Sequence, residues 1–220
     1  MISFDCALAR RDFSFDAAFE STATVTGLIG PSGSGKTTLV HLIAGLLKPQ
    51  RGRIVVSGTV LTDTARGISF PPHHRGAGLV FQDALLFPHL SVRRNLNYAR
   101  DFGRGADGRI TFDAVVDVLG IAHLLGRAPH TLSGGERQRV AIGRALLASP
   151  RILLMDEPLA SLDGARKTEI LPFIERIRDE FQIPILYVSH SAAEVARLAS
   201  LVIELGDGRV TRMVSAAEVL

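Results

Sequence analysis

One cysteine, Cys6, is all that the 220 residues contain, so no intrachain disulfide forms, and a reducing compartment such as the cytoplasm fits that usage. No apolar run approaches the roughly 18 residues that would span a bilayer. The opening "MISFDCALARRD" lacks the basic-then-apolar order of a secretory signal. Long blocks of lysine or arginine are also missing. With 25 basic and 22 acidic residues the formal charge is only +3, and charge gives little support to a nucleic-acid partner. There is no internal repeat, no sustained heptad pattern and no linker rich in Pro, Gly or Ser. Hydrophobic residues at 46% and charged residues at 21% are ordinary for a globular chain with a sizeable core. One domain, 1–220, is the expectation.

Along the chain, "MISFDCAL" and "FSFDAAFE" alternate apolar and polar residues like half-exposed antiparallel strands. "ATVTGLI" is β-branched and nearly apolar, as a buried central strand is. "GKTTLVHLIAGLL" has helical spacing and stops at "KPQRG". "GRIVVSG" and "AGLVFQ" are further strands. From about Asp83 to Ala148 the pattern is mainly helical. "ILLMDEP" and "PILYVSH" are short buried strands separated by a helix around Gly164–Phe181, "LVIELGDGRVTRM" is a hairpin turning at "GDG", and "SAAEVL" begins a last helix. Strands alternating with helices predict an α/β fold with a parallel sheet. The antiparallel strands at the front and the helical insertion (84–148) make it composite.

Gly30-Pro31-Ser32-Gly33-Ser34-Gly35-Lys36-Thr37 matches G-x-x-x-x-G-K-[ST] in full, with a strand before it and a helix after. Glycines let successive N–H groups curl around phosphate oxygens, and the helix N-terminus adds partial positive charge. Lys36 is expected to reach the β- and γ-phosphates and Thr37 to place its hydroxyl on Mg²⁺. Asp156, closing an apolar strand, is a second Mg²⁺ candidate. Glu157 follows it, where strand alternation would turn it to the phosphate side. An adjacent carboxylate of that kind polarises a water, so hydrolysis of ATP is expected rather than transfer to a substrate hydroxyl. His190 and Gln82 each end a strand on the edge where parallel sheets bind ligands. His190 is a candidate for γ-phosphate contact and for positioning Glu157; Gln82 is a candidate for Mg²⁺ or for the lytic water. The adjacent His73 and His74 have no supporting acid or cysteine at metal-ligand spacing and are expected in an exposed loop.

A second Gly-rich helix start, "LSGGERQR", lies far down the chain. Ser133 is placed to cap the helix, with Glu136 completing a capping box. Gly134 and Gly135 remove side chains from that N-terminus and open it to a phosphate. One subunit cannot easily bring both loops to one nucleotide. A second copy of the chain would supply the partner surface, giving a head-to-tail homodimer around two ATPs.

This order of motifs resembles the ATP-binding cassette family over essentially the whole chain: the P-loop at Gly30–Thr38, the glutamine loop at Gln82, "LSGGERQR" at 132–139, the strand Ile152–Glu157, the loop "ASLD" at 160–163 and His190. The resemblance implies a P-loop NTPase with a RecA-like parallel-sheet core, an N-terminal antiparallel β subdomain and an inserted α-helical subdomain. It also implies that Thr38 joins the nucleotide site, that Ser133 and Gly135 meet the opposite ATP, and that Asp163 links the two sites. An aromatic near the N-terminus often stacks on adenine in this family; Phe13 is the candidate, and Phe13 or Phe15 could equally be core. "ASLD" begins with Ala160-Ser161 where Ser-Ala is more usual, with Asp163 expected to be unaffected.

Cassette ATPases of importers resemble this chain most. In them the segment "FQDALLFPHLSVRRNL" receives a helix of a membrane subunit, and Leu85, Leu86, Phe87 and Leu90 suit such a docking site, or an ordinary core. At least one of the four is expected to be exposed, Phe87 foremost. "R-G-I-x-x-x-P" before the glutamine loop looks most like molybdate importers, with thiamine, sulfate and ferric iron as the alternatives. The implied partners are two transmembrane permease subunits and, indirectly, a solute-binding protein, at the cytoplasmic face of the membrane. The C-terminal oxyanion-sensing domain of larger molybdate-importer ATPases is expected to be absent, as the sequence ends at Leu220. The rivals are a soluble P-loop machine on nucleic acid or ribosomes, and a kinase, in which "LSGGERQR" would have no role.

Overall fold

The computed structural model describes residues 1–10, 13–101 and 110–219. Strands β1 (Ile2–Arg10) and β2 (Phe13–Ser21) pair first, and β3 (Val25–Ile29) leads through the P-loop into α1 (Lys36–Ala44). β4 (Arg51–Val56), β5 (Thr59–Asp63), β6 (Ile68–Ser69) and β7 (Ala77–Val80) follow. The middle of the chain carries α2 (Val92–Asp101), α3 (Phe112–Val118) and α4 (Gly134–Leu146). β8 (Ile152–Asp156), α5 (Gly164–Phe181), β9 (Ile185–Val188) and α6 (Ala192–Leu198) then alternate, before the hairpin β10 (Leu201–Gly206) and β11 (Arg209–Ser215).

Two sheets result. β2-β1-β4-β5-β6 is antiparallel throughout. In β11-β10-β3-β9-β8-β7 the five strands from β10 to β7 are parallel, and β11 pairs antiparallel with β10. This is the α/β P-loop architecture that the strand–helix alternation predicts. The parallel strands are buried on both faces. Ile152 and Leu154 of β8 and Leu186 and Val188 of β9 enter one core, with α1 and the inward residues of the antiparallel sheet such as Phe4, Phe15 and Ile54. Leu153, Met155, Ile185 and Tyr187 enter a second core with residues of α2 to α6. That alternation explains why these strands read as continuous apolar runs. The helical insertion shares the second core with the sheet, and 102–109, within that insertion, lies outside the described residues.

Several expectations are corrected. α1 ends at Ala44, not at the Pro exit, because Gly45 adopts φ 79° and its N–H turns back to His41 and Leu42 carbonyls. β7 ends at Val80, so Phe81 and Gln82 lie beyond the strand, Gln82 in a turn. The last helix reduces to a single 3₁₀ turn, Ala216–Glu218, with Leu220 outside the described residues. β5, β6 and α6 carry no strong periodic signal, being only two to seven residues long. His73 and His74 are exposed in a 3₁₀ turn, Pro72–His74, their rings 4.3 Å apart. Cys6 is buried, and that burial, with Asp5 beside it, pushes its thiol up to about 12. It packs as a neutral side chain at any ordinary pH.

The end of α1 rests on Arg75, which is 1% exposed. Its Nη1 donates to the Leu42 and Ile43 carbonyls at 2.8 and 3.1 Å, its Nε to Phe70 O at 2.7 Å and its Nη2 to Thr62 Oγ1 at 3.0 Å. A guanidinium at a helix C-terminus satisfies carbonyls that have no intrahelical partner and faces the negative end of the dipole. Gly45 makes room: an added Cβ would stand 2.3 Å from Arg75 Nε. Arg75 therefore ties the P-loop helix to β5 and to the segment entering β7. Arg75→Ala strands these acceptors and opens a cavity, so it is expected to cost about 3 kcal/mol. A thermal melt should fall by about 6–12 °C for a chain of this size. An unchanged melt would mean that the cap is dispensable.

Candidate active site

The sequence between β3 and α1 forms a loop held from several sides. Gly30 has φ 151°, and a Cβ there would lie 2.2 Å from Leu205 O, so only glycine lets the loop pass β10. Lys36 is buried, and its Nζ donates to the Gly30 and Pro31 carbonyls, both at 2.9 Å. The ammonium thus lies folded under the loop, its positive charge fixed beside the N-terminus of α1. Ser34 Oγ is buried without a hydrogen-bond partner among the described residues.

A pocket of about 290 Å³ opens over this loop, lined by Phe13, Ser32, Gly33, Gly35, Lys36, Thr37, Thr38 and Glu157. Phe13 is half-buried at its edge, whereas Phe15 is core, packing edge-on to Phe4. The two rings lie on the same face of β2, two residues apart, so alternation does not separate them. Phe15 sits inside the core, whereas Phe13, the first residue of the strand, lies at the pocket.

A second hollow of about 330 Å³ is lined by Thr37, Phe81, Gln82, Asp83, Leu85, Asp156 and Glu157. Thr37 and Glu157 belong to both, so the two hollows adjoin. Asp156 is hydrogen-bonded to the Thr37 side chain, and burial holds its carboxyl above the ordinary range, with the Thr37 hydrogen bond opposing. Hydroxyl, carboxylate and amide oxygens at Thr37, Asp156 and Gln82 are the donor set that a hard divalent cation takes.

Glu157 reaches both hollows by a route that strand alternation does not supply. It lies one residue past β8 in a left-handed conformation, φ 48°, its N–H donating to Val188 O at 3.1 Å. A left-handed non-glycine residue costs of order 1–3 kcal/mol and persists where the surroundings over-determine it. His190 Nδ1 lies 3.4 Å from Glu157 Oε2. The end of β8, the loops after β7, β8 and β9 and the start of α1 thus bring Lys36, Thr37, Gln82, Asp156, Glu157 and His190 to one end of the sheet.

The second Gly-rich start lies apart. Ser133 caps α4: its Oγ accepts from Glu136 N at 3.2 Å, and Glu136 Oε2 accepts from Ser133 N at 2.6 Å, the expected capping box. The pocket beside it, lined by Ser133, Gly135, Glu136, Arg139, Arg166, Glu169, Ile170 and Phe173, shares no residue with the P-loop pocket. The glycines have a packing reason besides access. A Cβ at Gly134 would stand 2.9 Å from Leu162 Cδ2, and one at Gly135 3.2 Å from Ile170 Cδ1. Asp163 caps α5, accepting from Arg166 N at 3.0 Å.

Beyond Gln82 the chain turns through two left-handed residues, Ala84 (φ 55°) and Leu85 (φ 44°). Leu85 is the exposed one, at 55%. Phe87 is only half-buried, against the foremost exposure expected of it: its ring packs on Tyr98 at 4.2 Å and under the Arg144 guanidinium at 5.0 Å.

The family model for ABC transporters matches residues 18–160. The chain belongs to the ABC transporter family. This cassette is 64% identical over 199 residues to the molybdenum import ATP-binding protein ModC of Mesorhizobium japonicum, covering 90% of this chain and 54% of that one. It is 57% identical over 219 residues to the protein of that name from Rhizobium meliloti, covering 100% and 61%. The chain thus spans a little over half the length of the curated relatives it matches. Its fold superposes on cbiO1 from Clostridium perfringens, part of the ABC transporter complex cbiONQ, with a TM-score of 0.83 at 26% identity, covering 99% of this chain and 89% of that one. Among the described residues of the cassette, no helix is long and apolar enough to cross a membrane.

The raised carboxyl of Asp156 has a testable cost. Folding favours its protonated form. That extra stability is fully present below the unfolded carboxylate range near pH 4 and is lost as pH rises through the raised folded value, so the ionised group opposes folding at neutral pH. Asp156→Asn is therefore expected to raise the melting temperature of the nucleotide-free cassette by a few degrees at pH 7.5 and not at pH 4. A lower melt at pH 7.5 would show that the carboxylate is stabilising there.

Proposed function

We propose that this chain is the ATP-hydrolysing subunit of a molybdate importer, acting as a homodimer on two transmembrane permease subunits at the cytoplasmic face of the membrane. The observation that carries the hydrolytic reading is the position of Glu157: one carboxylate on the rim of both the P-loop pocket and the Gln82 hollow, with His190 beside it. The names of the relatives support the cargo.

The chemistry follows from the geometry. N–H groups of Ser32 to Thr38 and the start of α1 receive the phosphates, and Lys36 supplies a fixed cation to the β- and γ-phosphate oxygens. Phe13 offers a ring face to adenine. Thr37, Asp156 and Gln82 would hold Mg²⁺, which neutralises charge on the β- and γ-oxygens. Glu157 accepts a hydrogen bond from the attacking water and orients it at the γ-phosphorus. His190 holds Glu157 and the γ-phosphate in register. Ser133, Gly134 and Gly135, remote from the P-loop on one chain, meet the γ-phosphate of the ATP on a second copy, and Asp163 faces the dimer partner. Leu85 presents apolar surface next to Gln82, where a helix of a permease subunit would dock and take up closure as mechanical movement.

Glu157→Gln keeps the shape and removes the charge that polarises water. Steady-state hydrolysis is expected to fall about 10²–10⁴-fold while ATP binding persists. Wild-type turnover in this variant would remove Glu157 from the reaction. In that same background, Ser133→Arg is expected to leave ATP binding to the monomer intact and to abolish the ATP-dependent dimer in size-exclusion chromatography. Loss of the helix cap costs about 1 kcal/mol, so the melt is followed alongside. A dimer that persists in a folded Ser133→Arg protein contradicts a site shared between two copies.

A further inference from the structure

A buried carboxylate lies behind His190 that the hydrolytic reading does not use. Glu194, on α6, is only 6% exposed. Its Oε2 accepts from Tyr187 Oη and from Ser189 Oγ, both at 2.9 Å, and its Oε1 accepts from Lys167 Nζ at 2.9 Å. Three donors on one carboxylate, one of them an ammonium, satisfy a charge that would otherwise be costly to bury.

The donors come from three places. Tyr187 is in β9, Lys167 is on α5 four residues after Asp163, and Ser189 immediately precedes His190. Ser189 Oγ, while donating to Glu194, also accepts from the backbone N–H of Ser191 at 3.0 Å. Its own N–H donates to Leu28 O of β3 at 3.2 Å. Ser191 in turn caps α6, its Oγ accepting from Glu194 N at 3.4 Å. His190 is thus bracketed: the residue before it and the residue after it are both tied, through one hydroxyl, to Glu194. Burial and the neighbouring carboxylate push the Tyr187 phenol far above its ordinary range, so it remains a donor throughout. Glu157 N–H donates to Val188 O, at the foot of the same bracket.

We propose that Glu194 is a positioning residue for hydrolysis: through Ser189 it fixes the backbone that carries His190, and through Lys167 it joins that backbone to the helix capped by Asp163. The inference rests on the role given to His190 above. A displacement of His190 of well under the width of an atom is enough to matter, because positioned groups lose effectiveness steeply with misplacement.

The test is a pair of double-mutant cycles read by single-turnover hydrolysis. Glu194→Gln and Ser189→Ala are each made alone and with His190→Ala, and all are melted. Each single variant is expected to lower the single-turnover rate about tenfold with the ATP concentration for half-saturation within about twofold. Neither is expected to lower the rate further once His190 is already alanine. Equal loss with and without His190 would mean that Glu194 acts on the fold or on another group, and overturns the inference alone. Full activity of folded Glu194→Gln and Ser189→Ala overturns it as well. A His190→Ala protein with wild-type hydrolysis overturns the role of His190 and the inference with it. If Glu194→Gln does not fold, the Ser189→Ala cycle decides, since that change removes one hydroxyl from a bracket whose other members remain.

Discussion

Alternate residues of β8 and β9 enter different cores, Ile152, Leu154, Leu186 and Val188 on one side and Leu153, Met155, Ile185 and Tyr187 on the other. Strands buried on both faces have little place for polar side chains along their length, since each must find a buried partner, as Thr26 does in Ser21 and Tyr187 in Glu194. Asp156 is the last residue of β8, Gln82, Glu157 and His190 lie one or two residues past the C-terminal ends of β7, β8 and β9, and Lys36 opens the helix that follows β3. Once the sheet is apolar on both faces, its edge becomes the one place where so many chemically active groups can converge.

Convergence then depends on loops held in shapes that the strands themselves do not favour. Gly30 passes beside Leu205 O in a conformation open only to glycine. Glu157, with no such freedom, is nevertheless held left-handed, with its N–H on Val188 O. Gly134 and Gly135 let α4 seat against Leu162 and Ile170, which fixes the second Gly-rich start relative to α5 and its cap Asp163. At Gly134 and Gly135 the missing side chains are what lets the elements approach.

Buried charge follows one pattern across the molecule. Arg75, Lys36 and Glu194 are each enclosed and each held by two or more hydrogen bonds, Arg75 and Lys36 largely to backbone carbonyls. Such groups contribute less through net attraction than through the cost of moving them, since any displacement leaves a buried polar atom unpaired. They fix the two ends of the P-loop helix and the backbone around His190. The exposed pairs, such as Arg166 with Asp163 at 3.3 Å, contribute little by comparison.

Spacing along the chain was enough to mark the P-loop, the strand ending in Asp156, the capping box at Ser133 and Glu136, and the span of α5. Each of these is a local pattern whose physics, whether backbone hydrogen bonding, helix capping or a run of apolar residues, acts over a few neighbours. The short elements β5, β6 and α6 were not legible, because two to seven residues carry too little periodicity and owe their form to the partners they pack on. Strand alternation pointed Glu157 to the right side for the wrong reason; its left-handed backbone is set by the neighbouring strand. The choice between Phe13 and Phe15, the half-burial of Phe87 under Arg144, and the tie from Glu194 through Ser189 to the loop of His190 belong to the tertiary structure alone. They arise from contacts between segments that the chain brings together only on folding, and no spacing within a segment encodes them.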